Sequence, residues 1–219
     1  MQTPIPFPAR EREAVAIADG AVWLKGALSL DEQLQLLAEC RSIMDGPAGG
    51  YVPTVRGGGK MHVRMTCLGR HWNPLIYKYE ETRADFDRAP VAPVPNRWVS
   101  LASSIAREAG YEFTPDLCIV NWYDAAGRMG LHQDRDEGPA SIAAGLPVVS
   151  ISIGDTARFL FGGVRRRDPI ESLLLESGDG FVFGGPARLR YHGVSRIIPA
   201  TAPAALHVDG RFNLTFRRY

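Results

Sequence analysis

Cysteine is scarce in this 219-residue chain: Cys40, Cys67 and Cys118 are the whole complement, odd in number and far apart. That excludes a disulfide framework and a zinc spacing, and it fits a reducing, cytoplasmic setting. Net charge is only +1, so no global field demands nucleic acid or an acidic partner, and any basic surface must be local. No run approaches the roughly 18 apolar residues of a membrane span. Met1 to Arg10 has no apolar core and does not read as a signal peptide. No internal repeat or low-complexity segment is evident. Punctuation, in contrast, is plentiful: 23 glycines and 16 prolines favour many turns and short strands over long helices.

Residues 1–20 read as an irregular, mobile start, followed by a short strand at Ala21–Leu24. Ser29 with Glu32 has capping-box spacing and predicts a helix with Leu34, Leu37, Ala38 and Arg41 at helical spacing, stopping before Gly46-Pro47. Residues 51–66 read as two strands about the Gly57-Gly58-Gly59 turn, punctuated by Arg56, Lys60 and Arg64. A solvated hairpin is the plain reading of that segment. Trp72, Tyr77 and Tyr79 follow in a proline-containing loop; they are core plugs or a base-stacking surface. Residues 80–96 are a loop, and Asn96 caps a helix from Arg97 to Ala109 with Trp98, Leu101, Ala102, Ile105 and Ala109 on one stripe.

From Phe113 the pattern turns to strands: 117–123, 147–154, 157–161, 171–175, 181–183, 190–194 and 211–217, with glycine turns between them. Many short antiparallel strands predict a barrel or a double-sheet jelly roll. In the last, Arg211, Asn213, Thr215 and Arg217 share one face, with Phe212, Leu214 and Phe216 on the other. The polar face is either solvated or lines a cavity; in a cavity, its arginines suit a small dicarboxylate, with Asn121 and Tyr123 adding neutral hydrogen bonds. If 132–136 is a strand, His132, Asp134 and Asp136 share a face. His132, Asp134 and a distant His192 have the composition of a two-histidine, one-carboxylate iron site with open positions.

Together these motifs resemble the AlkB family of iron(II)- and 2-oxoglutarate-dependent dioxygenases. The match runs in order from about residue 50 to residue 219. It rests on Asn121-x-Tyr123, His132-Gln133-Asp134-x-Asp136-Glu137, Ser150-x-Ser152-x-Gly154, Phe161-Gly162-Gly163, Arg166-x-Asp168-Pro169, Gly178-Asp179, Tyr191-His192-Gly193 and the strand from Arg211 to Arg217. The resemblance implies an α+β fold: a jelly-roll (double-stranded β-helix) core at 113–219, supporting N-terminal helices in 1–48 and beyond, and a β-hairpin nucleotide-recognition lid at 49–90, all in one domain. It implies iron held by His132, Asp134 and His192. Arg211, Asn121 and Tyr123 would take the distal carboxylate of 2-oxoglutarate, with Asn213 and Arg217 at its other end. Trp72 and His132 would sandwich a damaged base, Asp136 would meet its exocyclic amine, and Tyr79 and Arg166 would lie near the nucleic-acid backbone or the pocket entrance. Phe183 departs from the pattern, standing where the bacterial founding member has a larger aromatic.

The activity so implied is oxidative demethylation of N1-methyladenine and N3-methylcytosine in DNA, and in RNA as a further substrate. The products are formaldehyde, succinate and carbon dioxide, and the protein acts as a monomer without a membrane. The alternatives are a 2-oxoglutarate oxygenase acting on a small molecule or protein, and a non-catalytic nucleic-acid-binding jelly-roll domain.

Overall fold

The computed structural model describes residues 11–46 and 49–219. Residues 1–10 and Pro47, part of the expected irregular start and helix stop, lie outside the described residues. Residues 11–20 are not irregular. Alternation from Glu13 builds β1 (Glu13–Ala18), and the Asp19-Gly20 turn, with Gly20 at φ 77°, folds it onto β2 (Ala21–Lys25).

Ser29 caps α1 (Leu30–Asp45): its hydroxyl accepts the Glu32 N–H at 3.3 Å, and the Glu32 carboxylate accepts the Ser29 N–H at 2.8 Å. The helix buries Gln33, Leu36, Leu37, Cys40 and Met44. Leu34, expected inward, is exposed, because the Leu36–Cys40–Met44 row sets the packed face. Bridges Tyr51↔Met65 and Thr54↔Lys60 form the glycine-turn hairpin, with Gly57 and Gly58 at φ 101° and 87°. It runs into β3 (Arg64–Leu68).

Trp72 and Tyr79 do not lie in a loop. They face each other across β4 (His71–Asn73) and β5 (Lys78–Glu80), with Pro74 confined to the connecting turn. α2 (Asn96–Glu108) begins one residue earlier than expected. Pro95 takes the cap position with φ −57°, so Asn96 is helical and caps nothing.

The remaining elements are β6 (Leu117–Tyr123), β7 (Met129–His132), α3 (Pro139–Ala143), β8 (Val148–Gly154), β9 (Thr156–Phe161), β10 (Glu171–Leu175), β11 (Gly180–Phe183), β12 (His192–Ile198) and β13 (Arg211–Arg217). β12 starts at His192 rather than Arg190, since the Tyr191 N–H is taken by the Gly163 carbonyl.

Two sheets stack as a jelly roll. The larger has the order β1-β2-β11-β8-β13-β6-β3 and the smaller β10-β9-β12-β7. α1 and α2 cover the outer face of the larger sheet, where Phe212, Leu214 and Phe216 meet Trp98, Leu36 and Leu37 in one apolar cluster. Each such side chain contributes roughly 1.5–3 kcal/mol by leaving water. Between the sheets lies a second cluster, including Tyr123, Phe159, Phe161, Phe181 and Phe183. The polar face of β13 therefore points inward: Arg211 and Arg217 are 1% and 5% exposed. No helix among the described residues is long and apolar enough to cross a membrane.

Ser29→Ala should lower stability at pH 7 by about 1 kcal/mol, measured by urea unfolding. The hydrogen bond from Ser29 holds the Glu32 carboxyl below its usual 4.5. Its stabilisation is thus present above that value and lost as pH falls through the lowered one. The variant should show a shallower loss of stability on acidification through this window.

Candidate metal and cofactor site

Strand register assembles the first part of the site. β12 pairs antiparallel with β7 so that His192 lies directly opposite His132, and their rings sit 4.4 Å apart between centroids. Gly193 makes this approach possible, since a Cβ there would lie 2.6 Å from the Met129 carbonyl oxygen. β7 ends at His132, so the expected single strand carrying His132, Asp134 and Asp136 does not form. Instead the chain leaves the ladder, held by Arg188, which donates to the Asp134 carbonyl, and by Arg217, which donates to its carboxylate. Asp134 still arrives between the histidines: His132 Nε2 is 3.6 Å from its Oδ1 and His192 Nε2 3.5 Å from its Oδ2. One donor atom from each residue falls within 4.8 Å of the others.

The protonation pattern suits a metal. His132 Nδ1–H donates to the Gly130 carbonyl at 2.9 Å and His192 Nδ1–H to that of Arg190 at 3.0 Å. Both Nε2 lone pairs are thereby left toward Asp134, the tautomer that metal ligation requires. Burial, more than any neighbour, pushes His132 down to about 4, so it is neutral at pH 7, as a metal ligand must be. Burial opposes the charge on Asp134, but Arg217 outweighs it and holds the carboxyl well below its usual range. Phe183 packs its ring 4.8 Å from that of His192.

The inner face of the larger sheet provides the second part. Pairing of β13 with β6 sets Arg211 against Tyr123 and Asn213 against Asn121, while β8 sets Ser152 against Asn213. Arg211 bonds neutral partners: the carbonyls of Asp155 at 3.1 Å and Leu175 at 3.0 Å, and the Ser152 hydroxyl at 2.5 Å. Its Nε is buried with no partner, as is Asn121 Oδ1. Burial lowers this guanidinium to about 10. No carboxylate bonds it, although buried Asp155 and Asp179 favour its charge from nearby, and a dicarboxylate would satisfy the free N–H. The Tyr123 hydroxyl reaches only the Met129 sulfur at 3.9 Å, leaving it free for a stronger acceptor. Asn213 is already bonded, donating to Ser150 and the Ile151 carbonyl.

A cavity of about 480 Å³ opens beside these residues. His132, Asp134, Asn121 and Arg217 are in its wall, with Trp72, Tyr77, Tyr79, Asp136 and Arg166. Tyr123, Arg211 and Asn213 do not line it. The Trp72 indole N–H donates to Asp136 at 2.8 Å, fixing the ring beside that carboxylate. Arg166 is exposed, bonded to the Leu131 carbonyl and stacked over Tyr191. Tyr79 is 8% exposed and bonds Glu137 at 3.2 Å, so it lies beneath the cavity; Tyr77, 47% exposed, is the tyrosine at its mouth.

Sequence reasoning missed Arg188, and gave Glu137 no role. Both are buried; they pair at 2.9 Å, and Glu137 also meets Arg217 Nε at 3.2 Å. Burial works against the charge on Arg217, yet Asp134, Tyr79 and Glu137 raise its guanidinium above the ordinary value. Glu137 ends the charged run Asp134-Arg135-Asp136-Glu137, which reads as solvent-facing and hid its burial.

The 2OG-Fe(II) oxygenase superfamily model matches residues 20–217. The DNA N(6)-methyladenine demethylase ALKBH1C of Arabidopsis thaliana is 44% identical over 231 residues, 96% of this chain and 51% of that protein. The alpha-ketoglutarate-dependent dioxygenase AlkB of Escherichia coli K12 is 38% identical over 168 residues, 74% of each protein. The solved structure of OsALKBH1 superposes with a TM-score of 0.89 at 38% identity, covering 94% of this chain and 100% of that one. The chain thus spans about half the length of the Arabidopsis relative while covering most of the bacterial one. The strand register, the His132–Asp134–His192 cluster and these similarities agree: the chain belongs to the AlkB family of 2OG-Fe(II) oxygenases.

Proposed function

We propose that the chain is an oxidative demethylase of N-alkylated bases in nucleic acid. The observation that carries this reading is the His132–Asp134–His192 cluster, of which His132 and Asp134 line a cavity that also presents Trp72 and Asp136. Iron(II), with 2-oxoglutarate and dioxygen, supplies when bound the oxidising power that hydroxylates an N-methyl carbon, after which formaldehyde leaves the nitrogen.

The protein's own residues have simpler tasks. His132, Asp134 and His192 hold the ion. Arg211 Nε and the Tyr123 hydroxyl bind the distal carboxylate, beside Asn121, and Arg217 and Asn213 lie toward the other end. Trp72 stacks on the base, with its indole fixed by Asp136. N1-methyladenine and N3-methylcytosine carry positive charge, which the Asp136 carboxylate offsets. The names of the plant relatives add N6-methyladenine, a neutral base that needs a hydrogen-bond acceptor there instead. The target atom lies on the Watson–Crick edge, so the base leaves the stack or starts unpaired. The three cysteines are free and buried, which supports a reducing compartment.

Three measurements bear on this reading. Metallated protein with 2-oxoglutarate should release formaldehyde and succinate from single-stranded DNA carrying N3-methylcytosine. N1-methyladenine, N6-methyladenine and RNA oligonucleotides serve as parallel substrates. Absence of product from all of them would sink the proposal, and Asp134→Ala should abolish turnover. Arg211→Ala removes charge-assisted hydrogen bonds worth roughly 1.5–3 kcal/mol, so KM for 2-oxoglutarate should rise about ten- to a hundred-fold. An unchanged KM would remove Arg211 from the cofactor site. Arg188→Met removes one of the two guanidinium partners of buried Glu137, with Arg217 remaining, so chemical denaturation should show a loss of roughly 1.5–3 kcal/mol.

A further inference from the structure

The turn between β4 and β5, residues 74–77, carries the most apolar exposed surface beside the cavity. Leu75, Ile76 and Tyr77 are 42%, 51% and 47% exposed. The turn is nonetheless built firmly. The Tyr77 N–H donates to the Asn73 carbonyl at 2.9 Å, the Leu75 N–H to Asn73 Oδ1 at 3.0 Å, and the buried Asn73 amide to Glu80 at 2.7 Å. Tyr77 sits at φ 54°, a left-handed conformation that a tyrosine holds only where its surroundings impose it. The tip is continuous with the cavity, because Tyr77 stands in the cavity wall and meets Trp72 edge-on at 6.0 Å. Exposed Arg135 and Arg166 stand in the same wall, and exposed Lys78 follows the turn.

A base stacked on Trp72 has left its duplex and leaves a gap behind it. Apolar side chains inserted between base steps stabilise such opened stacks. We propose that Leu75 and Ile76 form an apolar wedge that enters the base stack of a duplex substrate beside the extruded base, with Tyr77 joining wedge to cavity. This rests on the nucleic-acid reading above and adds competence on duplexes to it. Three side chains on one turn are too few to anchor a stable protein interface, and the flanking cations suit phosphates.

The test is the full metallated chain acting on one N3-methylcytosine oligonucleotide, as a single strand and as a duplex. Leu75→Ser/Ile76→Ser should lower the ratio of duplex to single-strand kcat/KM about ten-fold, and Leu75→Met/Ile76→Leu should restore it to within about two-fold of the parent. If the double serine variant has a lowered Tm, Ile76→Thr alone should still lower the ratio. A ratio unmoved by folded variants, or parent turnover confined to single strands, overturns the wedge. Absence of turnover on both forms instead overturns the demethylase reading on which it rests.

Discussion

Two guanidinium groups lie inside the sandwich, on one face of one strand, and the site depends on how their charges are balanced. Arg217 is satisfied within the chain by Asp134 and Glu137. Arg211 bonds only carbonyl and hydroxyl oxygens and keeps a buried N–H without a partner. A dry interior tolerates a cation only with a compensating anion. The first arginine therefore ties β13 to Asp134, and the second keeps one buried N–H unbonded. The two halves of the proposed chemistry are set six residues apart on β13, at opposite ends of its inward face.

The rest of the fold serves to keep that strand still. α1 and α2 bury its phenylalanines, β6 pairs along its whole length and β8 pairs from Arg211 to Phe216. Asp155 accepts the N–H groups of Thr201, Ala202 and Gly210, clamping the turns that lead into the strand. Asp179 does the same on the other side, accepting from the Trp23 indole, Gly26 and Glu176. β2 and β11 thus reach the site indirectly, through turns fastened to buried carboxylates.

Much of this was legible from residue order. The strict alternation of β13 announced two faces of opposite character, and His132, Asp134 and His192 had the composition of a metal site before their positions were known. Other parts were hidden for identifiable reasons. β1 interleaves Val15 and Ile17 with alanines, a weak strand signal, and gains its structure by pairing with β2, a tertiary effect. The Trp72–Tyr79 hairpin was masked by Pro74, which reads as a strand breaker yet occupies the turn. Arg188 was invisible because its partners lie in a segment far away in sequence, and a buried ion pair has no periodicity. The strand expected through Asp134 ends early, yet the carboxylate lands in place because two arginines pull it there.

The seam between β7 and β12 gives one last consequence. β7 is short and lies at the outer edge of the smaller sheet, where only His192↔His132 and Val194↔Met129 pair in register. An edge strand so lightly zipped should fray first. An ion shared by the two opposed histidines would act there as a clasp, fastening the rim of the sheet at the point where the substrate cavity opens. Metal occupancy and closure of that rim would then be thermodynamically linked, each favouring the other.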